Sequence, residues 1–152
     1  MERYYLSRDV KVFCIQATSF PDGIRAAFLR LRSVVEDMMD RDFFGIIYKT
    51  GTGQIIYKAA VTARPGESVR EGCEHFILPS GEYLAEWLGN WAENEEEINK
   101  IFSLLAADPR IDHFFPCIEW YENRKDMLCM VKVKPAGQSL FSIDEQTGLI
   151  KN

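Results

Sequence analysis

A chain of 152 residues is long enough for one domain with its own core, and 47% hydrophobic against 27% charged residues is a soluble, globular composition rather than a disordered one. No apolar run approaches the roughly 18 residues of a membrane span, and the polar start MERYYLSRDVK has no secretory core, so a cytoplasmic protein with no membrane contact is expected. With 23 acidic against 18 basic residues the net charge is −5, which disfavours nucleic acid as a direct partner and leaves a positively charged ligand unopposed.

The first element in chain order is a strand, Val12 to Ala17, apolar and β-branched between polar flanks. Phe20-Pro21-Asp22-Gly23 is turn chemistry, and Asp22 is placed to cap the helix that follows. Ile24, Ala27, Phe28, Leu31, Val34, Val35 and Met38 recur at steps of three and four and predict that helix. Two strands, Phe44 to Thr50 and Gln54 to Ala63, are joined by Gly51-Thr52-Gly53, whose glycines suit a hairpin loop. A polar connector leads to Glu74 to Leu78, which turns at Pro79-Ser80-Gly81 and continues extended from Glu82 to Leu88. Asn94 with Glu97 three residues on has the spacing of a capping box, and Ile98, Ile101, Phe102 and Leu105 form the buried stripe of a second helix that Asp108-Pro109 ends. Phe115 to Tyr121 and Met127 to Val133 are the last two clear strands. Residues 135–152 read as a tail with one short strand around Leu140 to Ile143, so the domain proper is 1–134.

The order strand, helix, strand, strand occurs twice. At an offset of 71, Phe20 falls on Trp91, Phe43 on Phe114, Phe44 on Phe115 and Ile46 on Cys117. The expected fold is therefore α+β: two such units related by a pseudo-two-fold axis, one antiparallel sheet, both helices on one face and a groove between the repeats. The opposite face is expected to be open, and an open face is polar unless something binds it.

Four scattered cysteines without a C-x-x-C pair read as reduced thiols. Cys73 and His75 supply only half of a metal site and no second ligand pair exists, so no metal or cofactor is expected. The carboxylate in the last strand pair is more informative. Period 2 places Phe115, Cys117, Glu119 and Tyr121 on one face. Glu119 then lies in a hydrophobic run, where a charge costs several kcal/mol unless it is paired, hydrogen-bonded or protonated. Two readings fit it: an ion pair with Lys58 or Lys132 or exposure on the sheet rim, and a site carboxylate. Under the repeat its counterpart is Tyr48, and Tyr57, Tyr83, Trp87 and Trp91 are candidates for the same cleft. A flat organic cation over such rings gains roughly 0.5–2 kcal/mol per ring.

Three segments carry a family resemblance. Phe44-Gly45-Ile46-Ile47-Tyr48 leads through a glycine turn to Ile56-Tyr57-Lys58-Ala59-Ala60-Val61; Phe76 to Tyr83 contains Pro79-Ser80-Gly81 with Gly89 following; and Cys117-Ile118-Glu119-Trp120-Tyr121 is the third. Together they resemble the GyrI-like small-molecule-binding domain, the effector-binding module of AraC-type and MerR-type bacterial multidrug regulators, over about Val12 to Lys134. The resemblance implies a ligand groove between the repeats, with Glu119 meeting cationic ligands and Tyr121 as the accompanying tyrosine. Glu86-Trp87-Leu88 stands where the family often has a histidine or lysine, and only eleven residues precede Val12, so a free-standing form without its own DNA-binding unit is expected.

Three functions follow as expectations. The first is a binding module for amphipathic, cationic, aromatic small molecules, in drug sensing or sequestration. The second is a hydrolase of strained electrophilic compounds of the cyclopropane-drug type, with Glu119 as its acid or base. The third is a protein-interaction module that docks on a polymerase or gyrase-like partner or on a second copy.

Overall fold

The computed structural model describes residues 1–68 and 70–135; the strand expected around Leu140 to Ile143 lies outside them. Chain order is β1 (Glu2–Leu6), β2 (Val10–Gln16), α1 (Ile24–Val34), β3 (Phe43–Lys49), β4 (Ile55–Thr62), β5 (Glu74–Leu78), β6 (Gly81–Leu88), a 3-10 turn at Trp91–Glu93, α2 (Glu95–Ala106), β7 (Cys117–Tyr121) and β8 (Met127–Lys132). The eight strands form one antiparallel sheet in the order β1-β6-β8-β7-β3-β4-β2-β5. Outward from the β7–β3 seam, both halves repeat the same arrangement, as the α+β tandem architecture requires. The halves also exchange a strand: β1 of the first pairs with β6 of the second, and β5 of the second pairs with β2 of the first.

That exchange forces the sheet to curl. β1 and β2 stand six strand spacings apart in the sheet order, roughly 29 Å if the sheet were flat. Yet only Ser7, Arg8 and Asp9 join them, a connection that reaches roughly 14 Å at full extension. The same holds for β5 and β6, which are joined through Pro79 and Ser80. The sheet therefore wraps into a half-barrel, and Ser80 N–H donates to Asp9 Oδ1 at 2.8 Å where the two turns meet.

Curling overturns the expectation of an open second face. The concave face closes on a core of its own: Val12, Cys14, Phe44, Ile46, Ala60, Leu78, Tyr83, Ala85, Ile118, Leu128 and Met130 are all buried there. Both edge strands fold over it, Tyr4 of β1 meeting Trp120 edge-on at 6.1 Å and Phe76 of β5 meeting Phe115 at 5.8 Å. β1 has no counterpart among the strands read from sequence. Five residues put only Tyr4 and Leu6 on the inner face, too few alternations to stand out.

The helices take the convex face. α1 buries Ala27 and Leu31 against Phe13, Ile15, Tyr57, Ala59 and Val61; covering a leucine this fully is worth about 2 kcal/mol. α2 buries Leu105 with Ile98, Ile101 and Phe102 against Leu84, Leu88, Met127, Cys129 and Val131. Two capping expectations need correction. The N-cap of α1 is Gly23 and no side chain caps it, so Asp22 does not serve. Asn94 precedes α2 but makes no capping bond; its amide turns back to the carbonyls of Gly89 (3.3 Å) and Asn90 (3.1 Å) because a 3-10 turn occupies the approach. Glu95, Glu96 and Glu97 do sit in the first turn, where they complement the helix dipole. α1 stops at Val34, four residues short of Met38, since Val35 is already extended (φ −100°, ψ 109°) and Asp37 is left-handed (φ 56°).

Candidate ligand-binding site

α1 covers β2 and β4, and α2 covers β6 and β8, so the seam of β3 and β7 lies between the helices. Register pairs Gly45 with Glu119 at the middle of this seam, flanked by Phe44 with Trp120 and Ile46 with Ile118. Alternation points Glu119 to the helix side, together with Cys117 and Tyr121; Phe115, expected on the same face, precedes the strand, which starts at Cys117, and turns into the concave core against Phe76 and Tyr83. Its side chain is buried, at 4% exposure.

Two phenols hold the carboxylate. Tyr57 reaches across from β4 and donates its hydroxyl proton to Glu119 Oε1 at 2.7 Å; Tyr121 donates to the same oxygen at 2.6 Å, and the two hydroxyls are 3.2 Å apart. Among the described residues nothing donates to Oε2, and no lysine or arginine pairs with Glu119. The ion pairs considered from sequence go elsewhere: Lys58 binds Glu74 at 2.7 Å, and Lys132 donates to the carbonyls of Glu82 and Val133. Burial pushes the Glu119 carboxyl up from its usual range, the hydrogen bonds from Tyr121 and Tyr57 oppose that shift, and Glu95 adds to it. Burial beside Glu119 also raises both phenols well above their ordinary value.

Aromatic rings wall the carboxylate. Phe28 of α1 meets Tyr57 and Tyr121 edge-on at 6.4 and 6.0 Å, Trp91 meets Tyr121 edge-on at 4.9 Å, and Phe20 stacks on Tyr57 at 5.9 Å. Gly45 makes the arrangement sterically allowed. A Cβ there would fall on the Tyr57 hydroxyl and on Oε1 of Glu119, and 2.6 Å from Cζ of Tyr57.

Of the residues singled out from sequence, the structure brings Tyr57, Tyr121 and Trp91 together with Glu119. It does not bring Tyr48, Tyr83 or Trp87. Tyr48 and Tyr83 belong to the concave core, and Trp87, 46% exposed, lies on that same face at its rim beside Leu128. The physical reason is register. The offset of 71 holds for β2 and β6, where Val12 and Tyr83 occupy equivalent inner positions, but it slips in β3 and β7. The true counterpart of Glu119 is therefore Gly45, its partner across the seam, and Tyr48 points the other way. Gly45, Phe28 and Phe20 join the site although no site motif in the sequence contains them as polar or cation-binding groups. Gly45 did carry a signal, a glycine inside an otherwise β-branched and aromatic strand, which marks a close approach.

The cysteines nearest the carboxylate are not nucleophiles at neutral pH. Burial, reinforced by Glu119, raises Cys117 to about 11 and Cys129 to about 12. What the site offers chemically is one buried carboxyl with two hydroxyl donors inside an aromatic wall.

Fold and site together define a tandem α+β half-barrel with a buried acid on its seam. It is similar to an integron cassette protein from the mobile metagenome of Vibrio cholerae, with a TM-score of 0.65 at 12% identity over 88% of this chain and 95% of that one. It is also similar to the protein SAV2435, solved bound to tetraphenylphosphonium, with a TM-score of 0.57 at 14% identity over 88% and 93% of the two chains. A hydrolase from Listeria innocua shares the fold with a TM-score of 0.54 at 8% identity over 88% and 90%. No family model matches the chain, and no curated protein sequence matches it significantly. Among the described residues no helix is long and apolar enough to cross a membrane.

Proposed function

We propose that the chain is a small-molecule-binding module that takes a lipophilic cation between α1 and α2, with Glu119 as its charge partner, in the manner of a drug-sensing or drug-sequestering domain. The observation that carries this reading is the state of Glu119. It is buried, held by neutral donors on one oxygen only, and has no cationic partner among the described residues. An ionised carboxylate in that position costs several kcal/mol, and an aromatic cation entering the groove removes most of that cost while stacking on the rings. The likeness to a fold solved with tetraphenylphosphonium supports the same reading.

Tetraphenylphosphonium should quench tryptophan fluorescence saturably, because Trp91 borders the groove. Glu119→Gln keeps the size of the side chain and removes its charge; affinity should fall tenfold or more, about 1.4 kcal/mol. Equal affinity in the two proteins would sink the charge-selective reading.

A second reading, hydrolysis of a strained electrophile, is favoured by the raised proton affinity of Glu119 beside two hydroxyls, which suits a general acid. It requires product formation that Glu119→Gln abolishes while substrate binding persists.

A further inference from the structure

Phe20 and Trp91 are equivalent in the repeat, and each packs on one of the two tyrosines that hold Glu119, yet their surroundings differ. At the Trp91 end the β7–β8 turn is fastened to the segment before α2. Trp91 N–H donates to the Lys125 carbonyl at 3.1 Å, and its indole N–H donates to the Asn123 carbonyl at 3.4 Å. That end is sealed.

At the Phe20 end the corresponding β3–β4 turn spends its hydrogen bonds on itself. Thr50 N–H donates to the Gln54 carbonyl, Gly53 N–H to the Thr50 carbonyl, and Gln54 N–H to Thr50 Oγ1. Among the described residues the backbone of the segment before α1 is joined to β4 by Ala17 N–H to the Tyr57 carbonyl at 2.8 Å. Between the two segments lies a depression of about 360 Å³ lined by Gln16, Thr18, Ser19, Gln54, Phe20 and Tyr57 among others. This is near the lower end of the volumes that hold small molecules.

Its chemistry is specific. None of the lining residues is charged. The side chains of Gln16, Thr18, Ser19 and Gln54 are exposed and make no hydrogen bond to another described residue, so their amides and hydroxyls are available to a ligand. Tyr57 is shared: it lines the depression, and its hydroxyl is the one on Glu119. The depression and the carboxylate are thus one tyrosine side chain apart. Phe20, 40% exposed, lines the depression and stacks on Tyr57.

We infer that this depression is an accessory subsite for an uncharged, hydrogen-bonding arm (an amide, hydroxyl or ether) on the cation that Glu119 holds, and that ligand enters on the Phe20 flank. The inference rests on the cation-binding reading of the groove. A second charge on the arm is selected against, because the depression has no charged partner to offer it.

Calorimetric titration with two probes tests this: methyltriphenylphosphonium, which has no arm, and (4-carbamoylbutyl)triphenylphosphonium, which carries an amide arm. Thr18→Val combined with Gln54→Leu removes two of the polar groups at exposed positions; far-ultraviolet dichroism and the thermal midpoint check that the variant folds. The carbamoyl probe should lose about five- to tenfold in affinity while methyltriphenylphosphonium stays within about twofold. If both probes lose alike, or neither changes, while Glu119→Gln still weakens both, the subsite is wrong and the groove reading survives. If Glu119→Gln weakens neither probe, the groove reading falls and the subsite falls with it.

Discussion

Gly45 and Glu119 form a matched pair across the seam, because the absence of a side chain at one is what admits the other together with the Tyr57 phenol. β3 is hydrogen-bonded on both sides, to β4 and β7, so its backbone cannot retreat from an added methyl. Gly45→Ala should therefore destabilise the protein by about 1–3 kcal/mol and eject the Tyr57 hydroxyl from Glu119; urea denaturation reads the first effect and loss of cation affinity the second. Glu119 also sets a pH dependence. Its folded-state pKa lies above the unfolded value, chiefly through burial, so the folded protein holds this proton more tightly. The stability it contributes is fully present below the unfolded pKa and is lost as pH rises through the folded pKa. Denaturation midpoints measured from acid to neutral pH should fall in the wild type relative to Glu119→Gln, which lacks the group. On the proposed cation-binding reading, cation affinity should move the opposite way, rising over the same interval, because a cation selects the ionised form.

At the level of elements, the joint between α1 and β3 is tied down by Arg41, and Arg64 adds an ion pair to Asp37 at 2.9 Å. The Arg41 guanidinium is buried and donates to both carboxylate oxygens of Glu67 (2.8 and 2.6 Å) and to the carbonyls of Thr62, Asp37 and Glu36. It ties the end of α1 to the β4–β5 connection, and with it the placement of Phe28 over the tyrosines. Arg41→Ala leaves the carbonyls of Thr62, Asp37 and Glu36 without this donor and Glu67 with only the Arg64 N–H (2.6 Å) and Arg70 (3.5 Å), and should cost about 1.5–3 kcal/mol in denaturant-measured stability. The sequence pattern located both helices and seven of the eight strands because each buries a stripe of matching period. Arg41 escaped that reading, since its partners come from segments up to 26 residues away. Asn94 shows the converse: its spacing to Glu97 is that of a cap, but the preceding 3-10 turn redirects the amide to Gly89 and Asn90.

For the whole molecule, the exchanged strands decide cooperativity. Each half lacks an edge that only the other supplies, through β1–β6, β2–β5 and the β3–β7 seam. Peptides spanning 1–68 and 72–135 should show no cooperative thermal transition alone and should recover one when mixed, as dichroism at increasing temperature would reveal. A stable isolated half would contradict the reading of the sheet as a single folding unit. The same topology curls the sheet, closes the concave face on Tyr48 and Tyr83, and leaves the seam as the place where a carboxylate sits between two helices.

Local pattern in the chain was enough to determine the α+β class, the tandem order, the face shared by Cys117, Glu119 and Tyr121, and the anomaly of a carboxylate in an apolar strand. All of these follow from periodicities of 2 and 3.6 residues, which are properties of neighbouring positions. The tertiary structure alone decided which aromatics meet that carboxylate. A slip in register between the repeats sends Tyr48 to the opposite face and makes Gly45 the counterpart of Glu119, and strand register depends on contacts between distant segments rather than on local sequence. It likewise decided that Tyr57, from a neighbouring hairpin strand, reaches across β3 to Glu119.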